Sequence, residues 1–208
     1  MKAFVYNKFS DVCVLAFIIL CCVSFNEVEI QALNKLAPLF QNHYIRLIMF
    51  DIKLNEVIVL FLLLASCIKS AQFGFHLWLP DSMEAPAPAS ALIHSATLVS
   101  SGIYLILRFT PFIELSYLGC NVLPVIGAVT AFYGGFVSAF QTDVKKILAY
   151  STISHCGYMV LLSSTFLTDV VLVYLYVHGF FKALLFLTAG NIMRFFGGEQ
   201  DFRYMGGA

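Results

Sequence analysis

Long apolar runs are the feature that most constrains how this chain can fold. A helix needs about 20 apolar residues to cross the hydrocarbon core of a bilayer. Six stretches approach that length, near residues 5–25, 54–75, 89–109, 118–140, 144–163 and 169–196. Because no barrel-like alternation is visible, helices are the remaining way to satisfy the backbone in lipid. The sequence predicts an all-α fold, a polytopic bundle of about six transmembrane helices forming one membrane domain over residues 1–208.

The composition supports a membrane protein. Hydrophobic residues make up 60% of the chain and charged residues 12%, with 12 Lys and Arg balancing 12 Asp and Glu. Soluble domains carry about 25% charged residues. The high apolar content and low charged content of this chain exclude a disordered chain, a nucleic-acid partner and a typical soluble enzyme. The six cysteines form no C-x-x-C pair, so we interpret them as small apolar residues and predict no metal site.

Most connections between the apolar runs are short, which favours antiparallel neighbouring helices. The connection over residues 26–53 is longer, and we expect it to hold a short interfacial helix. Residues 77–88 differ again, since they carry Pro80, Pro86 and Pro88 with Asp81 and Glu84 between them. Proline interrupts a helix, so a break is predicted around residues 76–90. Its polar backbone either lines a wet cavity within the protein or forms a surface loop.

Lys69 is the most informative single residue, because it lies within the second apolar run. A charged lysine near the middle of a membrane costs about 2.5–3.5 kcal/mol on insertion scales. Lysines moved from water into a protein interior can exchange protons near neutral pH. Lys69 is therefore a candidate proton-carrying residue. The alternative is a lysine whose ammonium group reaches the membrane surface.

Tyr174, His178 and Lys182 follow one another at spacings of four, so they share one face of a helix. A Tyr–His–Lys column in an apolar helix is typical of a hydrogen-bonded proton relay, since histidine titrates in the physiological range. A pair that stabilises a packed interface is the alternative. His94 is a further candidate, although a lone histidine is often a core residue. His155 is interpreted as structural.

Axial ligation of haem would be another use for histidines in a bundle, but it leaves the lysines unexplained. No acid is placed in the middle of a predicted span, since Asp11 is interpreted as lying near an end of the first run, and buried lysines usually need a partner charge. Either the lysines are neutral or another chain supplies the carboxylate. The sequence therefore predicts partner subunits.

Five segments, in order along the chain, resemble the antiporter-like membrane subunits of respiratory complex I. They are residues 69–72 (KSAQ), 76–81 (HLWLPD), 86–94 (PAPASALIH), 143–152 (DVKKILAYST) and 178–186 (HGFFKALLF). The FFKALLF run and residues 197–207 are most similar to the chain 5 branch of that family. The resemblance covers nearly the whole chain but only the middle of the family, from its sixth to its eleventh transmembrane helix.

The resemblance implies roles residue by residue. Lys69 matches the lysine on the broken seventh helix, whose partner glutamate lies on the fifth helix of the family, and His94 matches the histidine on the eighth. His178 and Lys182 match the pair on the eleventh helix. Relatives have histidine where this chain has Tyr174, and tyrosine is the poorer proton acceptor. Pro80, Pro86 and Pro88 match the region after the break and support the site.

The resemblance further implies a proton-translocating fragment of NADH:ubiquinone reductase in the mitochondrial inner membrane. NADH, FMN, the iron–sulfur clusters and ubiquinone would be bound by other subunits, and none by this chain, which has no dinucleotide fingerprint. Expected partners are other membrane-arm subunits, separate chains supplying the remaining helices, and membrane lipids. Two alternatives stay open: a subunit of a cation/proton antiporter, and a scaffold whose relay has degenerated.

Overall fold

A computed structural model describes residues 1–27, 29–40, 43–47 and 50–206, and they form a helix bundle. The α-helices of the described residues are α1 (Lys2–Phe25), α2 (Ile30–Leu36), α3 (Leu54–Lys69), α4 (Trp78–Asp81), α5 (Ala87–Leu92), α6 (Leu98–Arg108), α7 (Thr110–Glu114), α8 (Leu123–Ala139), α9 (Val144–Ser163) and α10 (Thr168–Phe195). Single turns of 3₁₀ or π geometry join several of them. The predicted all-α membrane bundle is confirmed.

Four helical runs in the described part are long and apolar enough to cross a membrane: Lys2–Phe25, Ala87–Arg108, Leu118–Ala139 and Thr168–Phe195. Two of the six predicted spans fall outside this set. Helix α3 has 16 residues, which is about 24 Å of rise, because the chain breaks after it. Helix α9 has 20 residues but begins with two lysines and carries several polar side chains on its buried face.

The connection between α1 and α3 holds more structure than predicted. The expected short helix is present as α2, followed by a 3₁₀ turn over Ala37–Phe40. Two short strands, β1 (Tyr44–Leu47) and β2 (Phe50–Lys53), then pair antiparallel with Tyr44 opposite Lys53. The absence of strands in the sequence interpretation was therefore wrong here. A strand of four residues is too short for its alternation of apolar and polar residues to predict it reliably.

The break in the second apolar run comes earlier than predicted. Helix α3 ends at Lys69 rather than near Phe75. Ala71 follows with φ of 51° and Gly74 with φ of 92°, and left-handed backbone of this kind ends a helix. The indole nitrogen of Trp78 donates a hydrogen bond of 3.0 Å to the Ile68 carbonyl oxygen. The same carbonyl oxygen accepts a hydrogen bond of 3.2 Å from the Ala71 amide, so the buried indole adds a second donor at the end of α3.

The predicted proline region is short helix rather than an extended loop. Pro80 lies inside α4, Pro86 precedes α5 with φ of −56° and ψ of 149°, and Pro88 lies in the first turn of α5. Proline is tolerated in a first helical turn because the amide hydrogens there have no partner within the helix. The prolines therefore fix where α5 begins. A π turn over Ile93–Thr97 then joins α5 to α6.

Helices α8 and α9 pack closely through glycine. A Cβ atom on Gly134 would lie 2.7 Å from the Ser154 amide nitrogen, and one on Gly157 would lie 2.5 Å from the Ala131 amide nitrogen. Small residues let helices approach in membranes, where apolar burial between helices adds little. The two helices form an antiparallel pair, and α10 packs on the other side of α9.

The chain after α10 returns to the start of α9. The Val144 amide donates to the Gln200 carbonyl oxygen at 3.0 Å, and the Phe202 amide donates to the Thr142 carbonyl oxygen at 3.2 Å. Asp201 also accepts hydrogen bonds from Arg203, which lower the pKa of that carboxyl group. Residues 200–203 thereby tie the end of α10 to the start of α9.

Candidate functional site

Lys69 forms an ion pair with Asp11, whose Oδ1 atom lies 3.0 Å from the lysine Nζ atom. Asp11 lies in the middle of α1, which packs against α3. The expectation that no acid lies within a predicted span is therefore wrong. The sequence interpretation placed Asp11 near the end of a helix, whereas α1 begins at Lys2. Asp11 is thus a carboxylate partner of Lys69 within this chain.

Lys69 occupies the last turn of α3, directly before the break. The C-terminal end of a helix carries partial negative charge, so a lysine is stabilised there. Gly102 of α6 packs against the same turn, where an added Cβ would lie 2.6 Å from the Ser66 carbonyl oxygen. Lys69 thus lies at the carbonyl end of α3, and its ammonium group is paired with the carboxylate of α1.

The break contains further buried polar groups. Gln72 is fully buried, and its Oε1 atom accepts a 2.7 Å hydrogen bond from the hydroxyl of Thr130 on α8. His76 is also buried, and its Nε2 atom lies 3.2 Å from the Tyr133 hydroxyl oxygen. These two contacts link the break to α8. They favour a break whose irregular polar backbone lies within the protein, rather than a loop on its surface.

His94 lies in the π turn between α5 and α6 and is fully buried. Its Nε2 atom is 3.2 Å from the hydroxyl oxygen of Ser82, in the turn after α4. Its Nδ1 atom has no hydrogen-bond partner among the described residues. Inserted π turns are frequent at functional sites. The ring also packs at 5.8 Å from that of Phe186, one turn after Lys182 on α10.

Lys182 is buried, with 1% of its surface exposed. Its Nζ atom donates a 2.6 Å hydrogen bond to the hydroxyl of Ser151 on α9, and it lies 5.6 Å from the centre of the Phe181 ring. No acid forms an ion pair with Lys182 within the described residues. A lysine in such surroundings can change its protonation when a charge nearby moves.

The expected Tyr174–His178–Lys182 column is only partly present. The Tyr174 hydroxyl is hydrogen-bonded to His155 Nδ1 on α9, at 2.7 Å, rather than to His178. His178 is buried, and neither of its ring nitrogens has a partner within the described residues. Its ring centre lies 5.5 Å from that of His155. Two helices therefore supply the column, rather than α10 alone.

The structure brings the predicted residues together in two groups. One is the pair of Lys69 and Asp11 at the break, and the other lies between α9 and α10 around Lys182. His94 lies near the second group, with Phe186 between its ring and the helical turn of Lys182. In the described part of the chain, no hydrogen bond or ion pair joins the two groups. A proton that passes between them needs water, which polar buried groups can hold.

Sequence reasoning missed Asp11, Ser151 and His155. Asp11 could have been found by treating it as an intramembrane residue of the first run rather than as a residue near its end. Ser151 and His155 are four residues apart, as are His178 and Lys182, and this matched spacing on consecutive helices was a usable signal. Which of them face each other depends on how α9 and α10 pack, and spacing within one helix does not reveal that.

Lys145 was also missed. This lysine of the first turn of α9 is buried, and its Nζ atom donates to the carbonyl oxygens of Ala85 and Met83 at 3.1 and 3.4 Å. These carbonyls lie just before Pro86, where α5 begins. A cleft of about 450 Å³ opens beside them, lined mainly by charged residues. Lys145 therefore holds the turn that carries Ser82, the partner of His94, against α9.

The fold and the site define a polytopic membrane protein with titratable side chains buried between its helices. A family model described as "NADH:quinone oxidoreductase/Mrp antiporter, TM" matches residues 1–208. The chain belongs to this family, as the resemblance of its motifs predicted.

Curated relatives agree with this assignment. NADH-ubiquinone oxidoreductase chain 5 of Paramecium tetraurelia is 52% identical over 213 residues, covering 99% of this chain and 36% of the relative. NADH-quinone oxidoreductase subunit L of Neisseria meningitidis is 40% identical over 208 residues, covering 99% of this chain and 31% of the relative. The chain thus spans about a third of the length of these relatives.

Solved structures share the fold. The Mrp complex from Dietzia sp. DQ12-45-1b matches with a TM-score of 0.80 and 28% identity, covering 93% of this chain and 21% of the matched chain. An archaeal membrane-bound sulfane sulfur reductase matches with a TM-score of 0.79 over 96% of this chain and 40% of the matched one. Its 18% identity supports the fold alone.

Proposed function

We propose that this chain is a proton-translocating part of an antiporter-like subunit in the membrane arm of respiratory complex I. In this proposal, other subunits transfer electrons from NADH through FMN and iron–sulfur clusters to ubiquinone. This chain binds none of these groups and carries protons through lysines and histidines between its helices. The observation that carries the proposal is a pair of lysine sites between apolar helices, the partly exposed Lys69 with Asp11 and the buried Lys182 with Ser151.

The chemistry follows from the contacts. Asp11 and Lys69 attract each other as an ion pair between α1 and α3. A movement of either helix, or a charge arriving nearby, weakens this attraction and lets Lys69 release its proton. Lys182 has the opposite surroundings, with a hydroxyl and aromatic rings around it, so its charged form has little compensation. A proton released near Lys69 can therefore travel toward Lys182 by way of His94 and water.

The proposal places the chain in the mitochondrial inner membrane. Support comes from the eukaryotic relatives, which include the chain 5 proteins of Paramecium tetraurelia and Chondrus crispus. Other membrane-arm subunits and lipids would cover the exposed apolar side chains of α8 and α10, among them Phe132, Phe136 and Phe180. Separate chains would supply the remaining helices of the subunit.

The proposal is tested on the native assembly. Membranes are solubilised gently, the assembly that holds this chain is isolated, and its subunits are identified by mass spectrometry while NADH–quinone activity is assayed. We expect flavin and iron–sulfur subunits to copurify with activity, together with polypeptides that carry the remaining helices. An assembly with antiporter subunits and no NADH oxidation would contradict the proposal.

A subunit of a cation/proton antiporter is the second candidate, and the likeness to the Mrp complex structure favours it. The same lysines could exchange protons for a cation gradient without electron transfer. Proton release from vesicles that depends on sodium and proceeds without NADH would support this second candidate over the first.

A further inference from the structure

We propose that His155 is a proton-carrying residue of this site, acting between His178 and Tyr174. The inference rests on the proposed proton translocation and adds a residue that belongs to α9 rather than α10. It arises from the contact that the sequence did not predict, the 2.7 Å hydrogen bond between the Tyr174 hydroxyl and His155 Nδ1.

Helices α9 and α10 present matched polar pairs to each other. Ser151 is hydrogen-bonded to Lys182 at 2.6 Å, and one turn along α9 the ring of His155 faces that of His178. Because the helices are antiparallel, one turn forward on α9 corresponds to one turn back on α10. His155 and Ser151 therefore form the α9 side of a ladder whose α10 side is His178 and Lys182.

His178 needs His155 in order to take part in proton transfer. Both nitrogens of His178 are buried without a hydrogen-bond partner among the described residues. The ring centre of His155 lies 5.5 Å away, close enough for one water molecule to join two ring nitrogens. A buried imidazole without partners is costly, and a bridging water or a small ring rotation toward His155 would relieve that cost.

Tyr174 alone is a poor continuation of the path, because a phenol accepts a proton only weakly. An imidazole has two nitrogens and can take a proton at one while it gives up a proton at the other. A proton from protonated His178 binds His155 Nε2, and the proton on Nδ1 moves to the Tyr174 oxygen as the hydroxyl releases its own proton onward. His178 loses one proton and Tyr174 releases one onward, so His155 and Tyr174 each end the step with the number of protons with which they began.

The competing explanation is that His155 only fills space, since its ring also packs against Phe181 with ring centres 5.2 Å apart. A packing role depends on the volume of the side chain. A relay role depends on an imidazole being present between Tyr174 and His178, on either helix. The two roles therefore differ in how they respond to moving the imidazole from α9 to α10.

The test measures the proton-to-electron ratio of the assembled complex in vesicles. We expect His155→Gln to lower the ratio, and Tyr174→His in the His155→Gln background to restore much of it. That second change returns an imidazole one helical turn from His178. Tyr176→Phe is the matched control, because this nearby tyrosine of α10 is 63% exposed, and its ratio should equal that of the unaltered complex.

Lys182→Met reports on the proposed function itself. A lower ratio in Lys182→Met than in the unaltered complex would support the proposed function. If His155→Gln assembles and keeps the full ratio in the same experiment, the role of His155 is refuted and the proposed function stands. A double variant that assembles without any recovery also refutes it. If His155→Gln does not assemble, Tyr174→Phe, which removes one oxygen atom, must lower the ratio, and a full ratio there overturns the inference.

Discussion

At the scale of single residues, Lys69 and Asp11 have unequal surroundings. The lysine side chain is 24% exposed and the aspartate side chain 50% exposed, and each lies on a different helix. An exposed ion pair adds little to stability, with a median of about 0–1 kcal/mol. The ion pair can therefore break and form again at little cost to folding. This makes the pair suitable for a site that must change its state.

Asp11→Asn tests this directly, because asparagine keeps the shape of the side chain and removes its charge. We expect normal assembly, a change in stability below about 1 kcal/mol, and a clear fall in the proton-to-electron ratio. Asp11→Glu should retain most of the ratio. Glu29→Gln, an exposed acid outside the site, is the control. A full ratio in assembled Asp11→Asn would show that Lys69 does not depend on this carboxylate.

At the scale of helices and turns, hydrogen bonds made by buried side chains hold the break between α3 and α5 in place. Trp78 satisfies the end of α3, Gln72 is bonded to Thr130, and Lys145 binds the carbonyl groups of Ala85 and Met83. Each contact joins the irregular backbone to a regular helix. The break is therefore a fixed element rather than a loose connection, and Ser82 is held at His94 as a result.

Lys145 and Lys146 offer a comparison between neighbouring lysines. Lys145→Met removes a donor from the Met83 and Ala85 carbonyl oxygens, of which, among the described residues, only that of Ala85 keeps a second donor, the Ser90 hydroxyl, and we expect this to cost about 1–3 kcal/mol. Lys146→Met removes a partly exposed ion pair with Asp143 and should cost less than about 1 kcal/mol. Amide hydrogen exchange of residues 82–85 is the measurement. Equal protection in the two variants would contradict the role assigned to Lys145.

Gly134 and Gly135 offer a second comparison, at the contact of α8 with α9. A Cβ on Gly134 would lie 2.7 Å from the Ser154 amide nitrogen, whereas one on Gly135 would lie 3.5 Å from the Ser154 hydroxyl oxygen. We expect Gly134→Ala to cost about 1–3 kcal/mol through overpacking and Gly135→Ala to be nearly neutral. Thermal release of the subunit from the complex measures this. Equal release temperatures would mean that the helices separate at little cost.

At the scale of the whole molecule, apolar periodicity predicted the helix bundle, since runs of about 20 apolar residues are unambiguous in lipid. The residues at which the helices end were harder to predict than the helices themselves. Lys69 proved to be the last residue of α3, because Ala71 adopts a left-handed conformation that its residue type does not suggest. The hairpin of β1 and β2 was missed because its strands have four residues each.

The residues of the candidate site could be predicted where an ionisable side chain interrupts an apolar run. Lys69, His94, His178 and Lys182 stood out because ionisable residues are rare in apolar runs. Their proton-carrying roles remain predictions. Their partners did not stand out, because the contacts of Lys69 with Asp11 and of Tyr174 with His155 span different helices. Such contacts depend on helix rotation and packing, which sequence periodicity does not specify.

The central claim is that Lys69 carries protons within an assembled respiratory complex. The most direct test is the proton-to-electron ratio of vesicles that contain the complex with Lys69→Met, a substitution that keeps the length of the side chain and removes its amine. We expect assembly and NADH–quinone electron transfer to persist while the ratio falls below that of the unaltered complex. An unchanged ratio in the assembled variant would contradict the claim.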